Sequence, residues 1–364
     1  MQKIKFTNTA QVSEDKSNLA SCSGEFPETT KDHKQEELIK KYLKNNQVLD
    51  ITLDARKREL LQQGYRLIGS HSAIKVCHYC KESIRGKNVC YKNTFYGIKS
   101  WQCIQASVTL DFCNLRCQWC WRNIEYNFPS NTVFKDPPEF IVDGFIKSHT
   151  HILNGFKGNK SANQLRVKES QKPKHVALSL TGDACMYPQL PELIEEIHAK
   201  DMTSFLVTNG TFPDMVEKLI EHQPTQIYIT LPAPNEVVYN KVCRPFADGG
   251  WQKILKSLSL LKNFQRSVIR LTLAKEMNML NTEEYAEIIK DIDFDFLELK
   301  AAMPIGPAQY RMTFDNMPYH NEIVRFAEDI GKITGHKIVS EKEDSRVVLM
   351  TRNGKDKKRF LDLG

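Results

Sequence analysis

Seven of the ten cysteines fall between Cys77 and Cys120, and only Cys22, Cys185 and Cys243 lie elsewhere. Cys113, Cys117 and Cys120 are spaced C-x3-C-x2-C directly after the apolar run 104–110. Three thiolates on one short loop can hold three irons of a [4Fe–4S] cube and leave the fourth iron open to a substrate or cosubstrate. A structural zinc takes four protein ligands in a closed site, so a set of three favours the open cluster. Upstream, Cys77, Cys90 and Cys103 stand thirteen residues apart twice, with Cys103 ten residues before Cys113. Cys80 breaks this register and forms a C-x2-C pair with Cys77. That pair alone would suggest a zinc knuckle, which stays open as a minor alternative.

Composition agrees with metal rather than disulfide chemistry. The start, MQKIKFTNTAQVSEDK, lacks the apolar core of a secretory signal, and no apolar run reaches the roughly 18 residues of a membrane span. An exported disulfide scaffold or a membrane protein is therefore excluded, and a cytoplasmic location is expected. The net charge is +7, from 51 Lys+Arg against 44 Asp+Glu. From His71 to Ser130 eight Lys/Arg face three Asp/Glu. Such an excess suits nucleic acid, although part of it offsets thiolate-bound clusters.

The elements that must position these thiols follow a repeating pattern. Residues 1–35 are rich in Ser, Thr and charge and read as a flexible tail. Residues 36–102 hold one or two amphipathic helices and the upstream cysteines. From 103 to 305, apolar β-branched runs at 104–110, 175–180, 204–207, 226–231, 268–273 and 296–299 alternate with helix-forming stretches such as LPELIEEIHAK and DMVEKLIEHQ. Strand–helix repetition implies a parallel sheet, doubly wound or barrel-like, with ligands at the carboxyl ends of the strands. Residues 306–364 add a helix (HNEIVRFAEDIGKITG), a strand (SRVVLMTR) and a basic end with Lys355, Lys357, Lys358 and Arg359. The segment GFKGNKSANQLRVKESQKPK reads as a loop, either solvated or contacting phosphate through Lys157, Lys160, Arg166 and Lys168.

Trp119 precedes the last cysteine of the downstream trio and completes C-x3-C-x-Φ-C, where Φ is aromatic. This resembles the signature of the radical S-adenosylmethionine (SAM) superfamily. The wider set C-x12-C-x12-C-x9-C-x3-C-x2-C is far more specific. With GYRLIGSHSAIKVC, CYKNTFYGIKS, CNLRCQWCWRN, GFKGN, ALSLTGD, LVTNGTFPD, RLTLAKEMN and FLELKAAM it resembles the tRNA 4-demethylwyosine synthases, in their archaeal, single-module form. The resemblance runs from about Gly64 to the C-terminus.

The resemblance implies an α/β fold, a partial (β/α)6 TIM-like radical SAM barrel with an N-terminal cysteine-rich extension. It implies two [4Fe–4S] clusters. Cys113, Cys117 and Cys120 hold the one that cleaves SAM to methionine and a 5′-deoxyadenosyl radical; Cys77, Cys90 and Cys103 hold an auxiliary one near which pyruvate binds. Lys92, two residues after Cys90, matches the family's Schiff-base lysine, since a desolvated amine can attack a ketone. The implied reaction starts from N1-methylguanosine next to the anticodon of phenylalanine tRNA, takes two carbons from pyruvate and closes a third ring on the base. A base in that loop can be splayed into a pocket. A separate electron donor such as flavodoxin or ferredoxin is implied, and a monomer is expected.

Gly182 and Asp183 stand where radical SAM enzymes usually carry a Gly-Glu pair for methionine's ammonium. Thr208, Asn209 and Gly210 match the SAM ribose and methionine neighbourhood, although TNG also suits a simple turn. Four departures lie near these positions: Asp183 itself, Ala184-Cys185-Met186 after it, Pro232 where the family usually has Asp, and Trp101-Gln102 in place of a more polar pair. Arg270 and Lys300 either reach the active-site mouth or face solvent at strand ends. Two other readings remain: a radical SAM enzyme with an auxiliary cluster acting on another substrate, or a non-catalytic metal-dependent RNA-binding module.

Overall fold

A computed structural model describes residues 47–129, 134–354 and 359–361. The tail 1–35, the amphipathic stretch 36–46, Cys22 and Lys355, Lys357 and Lys358 lie outside them. Ten strands form one sheet in the order β1-β2-β3-β4-β5-β6-β7-β8-β10-β9. Six of them are parallel: β3 (Cys103–Ser107), β4 (His175–Leu178), β5 (Thr203–Thr208), β6 (Gln226–Thr230), β7 (Ser267–Leu273) and β8 (Phe296–Ala301). This is the six-stranded partial barrel expected from the sequence.

The hairpin β1 (Arg66–Ile68) and β2 (Ser72–Ile74) adds antiparallel to the β3 edge. At the other edge β10 (Val347–Arg352) pairs antiparallel with β8, and β9 (His336–Lys342) with β10. The sequence reading missed the hairpin and β9. The strands of the hairpin span three residues each, too few to establish a period. β9 carries polar residues over a half-exposed edge, so it lacks apolar alternation.

Alternation along the parallel strands sends two different surfaces to two layers. Ile104, Val176, Leu178, Leu206, Ile227, Ile229, Ile269, Leu271, Leu297 and Leu299 point outward into the main core. They lie beneath the covering helices, which include α4 (Pro138–Leu153), α6 (Leu190–Ala199), α9 (Gly250–Ser259), α10 (Thr282–Lys290) and α11 (His320–Thr334). Ala177, Phe205, Tyr228, Val268 and Phe296 point inward and pack with Tyr91, Phe95 and Tyr96 of the short helix α3 (Tyr91–Tyr96). Residues from α3 thus fill part of the barrel lumen.

The remaining helices are α1 (Gln47–Gln62), α2 (His78–Ile84), α5 (Gln164–Ser170), α7 (Pro213–Lys218) and α8 (Glu236–Cys243). Helix α5 corrects the reading of 155–174 as a loop. Asn163 caps it by accepting from the Arg166 amide, and Val167 and Ser170 are buried. The Arg166 guanidinium lies 4.4 Å from the Trp101 ring centre and donates to Ser83 O at 2.8 Å. Glu169 accepts from Trp101 Nε1 at 2.7 Å, and Gln102 donates to Lys172 O at 2.7 Å. The Trp101-Gln102 departure is therefore matched by residues of this segment, and Arg166 is a packing residue.

Candidate functional site

The downstream trio sits on the loop that leaves β3 at its carboxyl end, and each neighbouring strand end holds that loop. Gly182, after β4, adopts φ +71°; a Cβ there would lie 2.6 Å from Phe112 O and closer still to Thr109 O. Only glycine allows this approach. The Asp183 amide donates to Phe112 O at 2.9 Å. Asn209, after β5, donates to Asn114 Oδ1 at 3.0 Å and reaches Cys113 Sγ at 3.8 Å. The C-terminal end of α8 accepts Arg116 N on Cys243 O and Gln118 N on Val242 O. Arg311 donates to the carbonyls of Gln118, Cys120 and Arg122. From below, Arg56 of α1 forms a two-bond pair with Asp111 at 2.7 and 2.8 Å, with both side chains almost fully buried. Trp119 is half-buried against the main core.

Asp183 is buried, and its carboxylate is engaged by protein donors. It accepts from the Thr208 hydroxyl at 2.9 and 3.0 Å, from the Asn209 amide at 2.7 Å and from the Cys185 amide at 3.0 Å. Burial pushes its pKa up, and these hydrogen bonds pull the other way. The shorter acid thus ties the end of β4 to the end of β5. Pro232 O accepts from Asn278 Nδ2 at 2.8 Å.

The upstream trio gathers around α3 and the start of β3. Cys77 caps α2, Cys90 caps α3 and Cys103 opens β3. Burial raises the Cys90 thiol to about 11 and the Cys103 thiol to about 12; Cys90 also feels Cys77, and Cys103 feels both. In the downstream trio, burial lifts Cys113 and Cys120; Cys117 is lifted first by its hydrogen bond with Cys243. None of these six is in a disulfide. Among the described residues, no three His, Cys, Asp or Glu side chains are placed to hold a single ion. Two separate trios of half-buried, reduced thiols are a donor set that suits open Fe–S cubes, in which the cluster supplies the charge that draws off the thiol protons. Cys80 is buried with Val76, Ile84, Leu153, Ala162 and Val167, where Cys77 also packs, and its thiol points to Trp101 O.

Lys92 projects from the first turn of α3 into the lumen and is 7% exposed. Its Nζ lies 4.7 Å from the Phe205 ring centre and 4.9 Å from that of Tyr228. Burial lowers its pKa, and the Arg270 charge lowers it further. Arg270 and Lys300, which the sequence left either at the active-site mouth or in solvent at strand ends, belong to this lumen. Arg270 pairs with Glu298 at 2.7 Å and donates to Tyr91 Oη at 2.8 Å, while Tyr96 Oη donates to Glu298 at 2.6 Å. Lys300 Nζ lies 5.3 Å from the Tyr91 ring centre. His175, buried beside this group, has its pKa lowered to about 4 by burial and by the Lys92 charge. Sequence reading missed Glu298, Tyr91 and Tyr96. The polar Glu298 inside the apolar stretch FLEL was the available signal.

A family model described as the radical SAM superfamily matches residues 107–294, and one described as wyosine base formation matches 291–352. An S-adenosyl-L-methionine-dependent tRNA 4-demethylwyosine synthase of Pyrococcus abyssi is 40% identical over 300 residues, covering 81% of this chain and 88% of that protein. The chain belongs to the tRNA 4-demethylwyosine synthases. Among solved structures, TYW1 with a lysine–pyruvate adduct bound is similar with TM-score 0.74 and 30% identity, over 85% of this chain and 98% of that one. The crystal structure of archaeal TYW1 follows with TM-score 0.68 and 29% identity, over 84% and 99%. Membership in the radical SAM superfamily carries with it a [4Fe–4S] cluster and SAM. No helix among the described residues is long and apolar enough to cross a membrane.

Proposed function

We propose that this chain converts N1-methylguanosine beside the anticodon of phenylalanine tRNA to 4-demethylwyosine, with pyruvate as the two-carbon donor. The observation that carries this reading is Lys92, a buried amine in the barrel lumen beside Cys90 and Cys103 of the upstream trio. Cys113, Cys117 and Cys120 would hold one [4Fe–4S] cluster, and Cys77, Cys90 and Cys103 a second. When bound, the downstream cluster supplies the electron that cleaves SAM to methionine and a 5′-deoxyadenosyl radical.

The chain's own residues do the rest of the positioning. Gly182, Thr208, Asn209 and Trp119 surround the downstream trio and would receive SAM. Asp183 acts on it through Thr208 and the Asn209 amide, which it holds in place. The uncharged form of Lys92, favoured by burial, attacks the pyruvate keto carbon; the adduct loses water and leaves an imine to Nζ. Lys300 and Arg270 place positive charge beside that position for the pyruvate carboxylate. An external flavodoxin or ferredoxin would deliver the electron, and the enzyme acts as a cytoplasmic monomer.

The test is an anaerobic incubation of protein, reductant, SAM, pyruvate and tRNA bearing N1-methylguanosine. The tricyclic nucleoside is expected by mass spectrometry. SAM cleavage without that product, on verified substrate, would assign the chain to another radical SAM reaction. Borohydride trapping with pyruvate should add mass to the wild type, and equal labelling of Lys92→Ala would defeat the role given to Lys92.

A further inference from the structure

We propose that the loop after β8, residues 303–319, is an aromatic platform on which unpaired bases of the tRNA anticodon loop stack. This rests on the tRNA reading above and adds the surface that grips the RNA. Tyr310, Phe314 and Tyr319 are 68%, 72% and 62% exposed. Three large rings that stay in water on one short loop form an apolar surface the fold itself leaves uncovered.

Position favours RNA as the occupant. The loop lies at the carboxyl end of β8 and is fastened to the downstream cysteine loop. Arg311, between Tyr310 and Phe314, donates to the carbonyls of Gln118, Cys120 and Arg122. A Cβ at Gly306 would lie 2.7 Å from Trp121 O. The loop therefore flanks the SAM-side mouth of the barrel, where the target nucleotide is delivered. The chemistry agrees. Lys275, which pairs with Glu322, and Arg346, which donates to Pro318 O, each lie over the Tyr319 ring at 5.2 Å from its centre, so positive charge for phosphates stands at one end of the loop that carries the uncovered rings of Tyr310 and Phe314. Recognition of single-stranded loops by aromatic stacking beside cations is how RNA bases outside a helix are held.

The test is the affinity of anaerobic holoenzyme for tRNA bearing N1-methylguanosine, measured at fixed ionic strength. Each base–ring stack removed should weaken binding about 5- to 150-fold. Tyr310→Ala/Phe314→Ala is expected to fall in or beyond that range with iron content and unfolding midpoint unchanged. Tyr310→Phe/Phe314→Tyr, which keeps both rings, should bind like the wild type. Phe360→Ala removes a ring of similar exposure (57%) that lies against Gly97 on the α3 side, and it should have no effect. Affinity within twofold of wild type in the double alanine variant overturns the platform. Unchanged tRNA affinity with weaker flavodoxin-driven SAM cleavage would overturn it in favour of a protein-docking face. A wild-type holoenzyme that binds no tRNA at all would instead sink the functional reading.

Discussion

Gly182→Ala tests how the strand ends set the geometry of the radical SAM loop. The substitution has two separable costs. Alanine at φ +71° occupies the left-handed region, at roughly 1–2 kcal/mol. Its Cβ would also lie within 2.6 Å of Phe112 O and nearer still to Thr109 O, both backbone atoms at the root of the Cys113 loop. Backbone cannot swing aside as a side chain can, so the loop must move, at a cost of about 1–3 kcal/mol. The sum is roughly 2–5 kcal/mol, below the ~5–15 kcal/mol stability of a typical domain. The protein should fold, with its loop displaced. A displacement of about 1 Å at a catalytic centre can cost on the order of 100-fold in rate. Gly86→Ala isolates the first cost, because Gly86 has φ +73° and nothing within 4 Å of the added carbon. Denaturant unfolding should show the 182 variant less stable than the 86 variant by about 1–3 kcal/mol. SAM cleavage under dithionite should fall only in the former. Equal unfolding of the two variants, with SAM cleavage intact in both, would refute the claim that this close approach holds the loop.

Three further outcomes are expected. Arg56→Met leaves Asp111 buried without its partner and should destabilise by about 3–5 kcal/mol, while Arg56→Met/Asp111→Leu should recover much of that loss in denaturant unfolding. His149 is fully buried and its pKa is lowered to about 4, below its ordinary 6.5. Its contribution is therefore present above pH ~6.5 and lost as pH falls toward 4, about 2 kcal/mol by pH 5. Unfolding midpoints of the wild type should drop between pH 7 and 5 more steeply than those of His149→Gln. Finally, two clusters require about eight irons and eight sulfides per anaerobically purified chain, and Cys77→Ala should keep about four of each. Stoichiometric zinc without iron, even after reconstitution, would contradict both cluster assignments.

The cysteine spacing and the six parallel strands were legible because both follow local rules. A thiol trio is a spacing, and a strand buried on both faces is an unbroken apolar run. Partnerships across the sheet were not legible. Arg270 and Lys300 could not be assigned between active-site mouth and solvent, because no local pattern indicates that the concave face of a closing sheet is filled by α3, about 180 residues earlier in the chain. Tyr91 hydrogen-bonds to Arg270 across 179 positions, and Tyr96 to Glu298 across 202. The sequence placed Asp183 at the position for methionine's ammonium but could not show its protein donors, because Thr208 and the Asn209 amide lie at the end of the next strand. Helix α5 was hidden by its Lys, Asn and Ser content, since its buried face amounts to Val167 and Ser170.

The lumen has an unusual charge balance, and that balance connects the two trios to the substrate. Lys92, Arg270 and Lys300 bring three cations into one enclosed space; Glu298 forms an ion pair with Arg270 and acts on the two lysines only through its field. Buried charge persists when it is paired. Burial lowers the pKa of Lys92 and of Lys300, whereas Cys90 pulls both upward, together with Cys103 for Lys92 and Cys77 for Lys300. Once a cluster draws off their protons, the upstream thiols would be counter-ions of the same lysines. A carboxylate entering the lumen meets the remaining positive charge, and an amine made neutral by that same crowding can attack a ketone. The charge of the site therefore favours an anionic keto acid such as pyruvate on grounds independent of family likeness. Lys300→Met should then weaken pyruvate-dependent trapping on Lys92 while leaving iron content unchanged; undiminished trapping at low pyruvate would show that Lys300 does not serve the carboxylate.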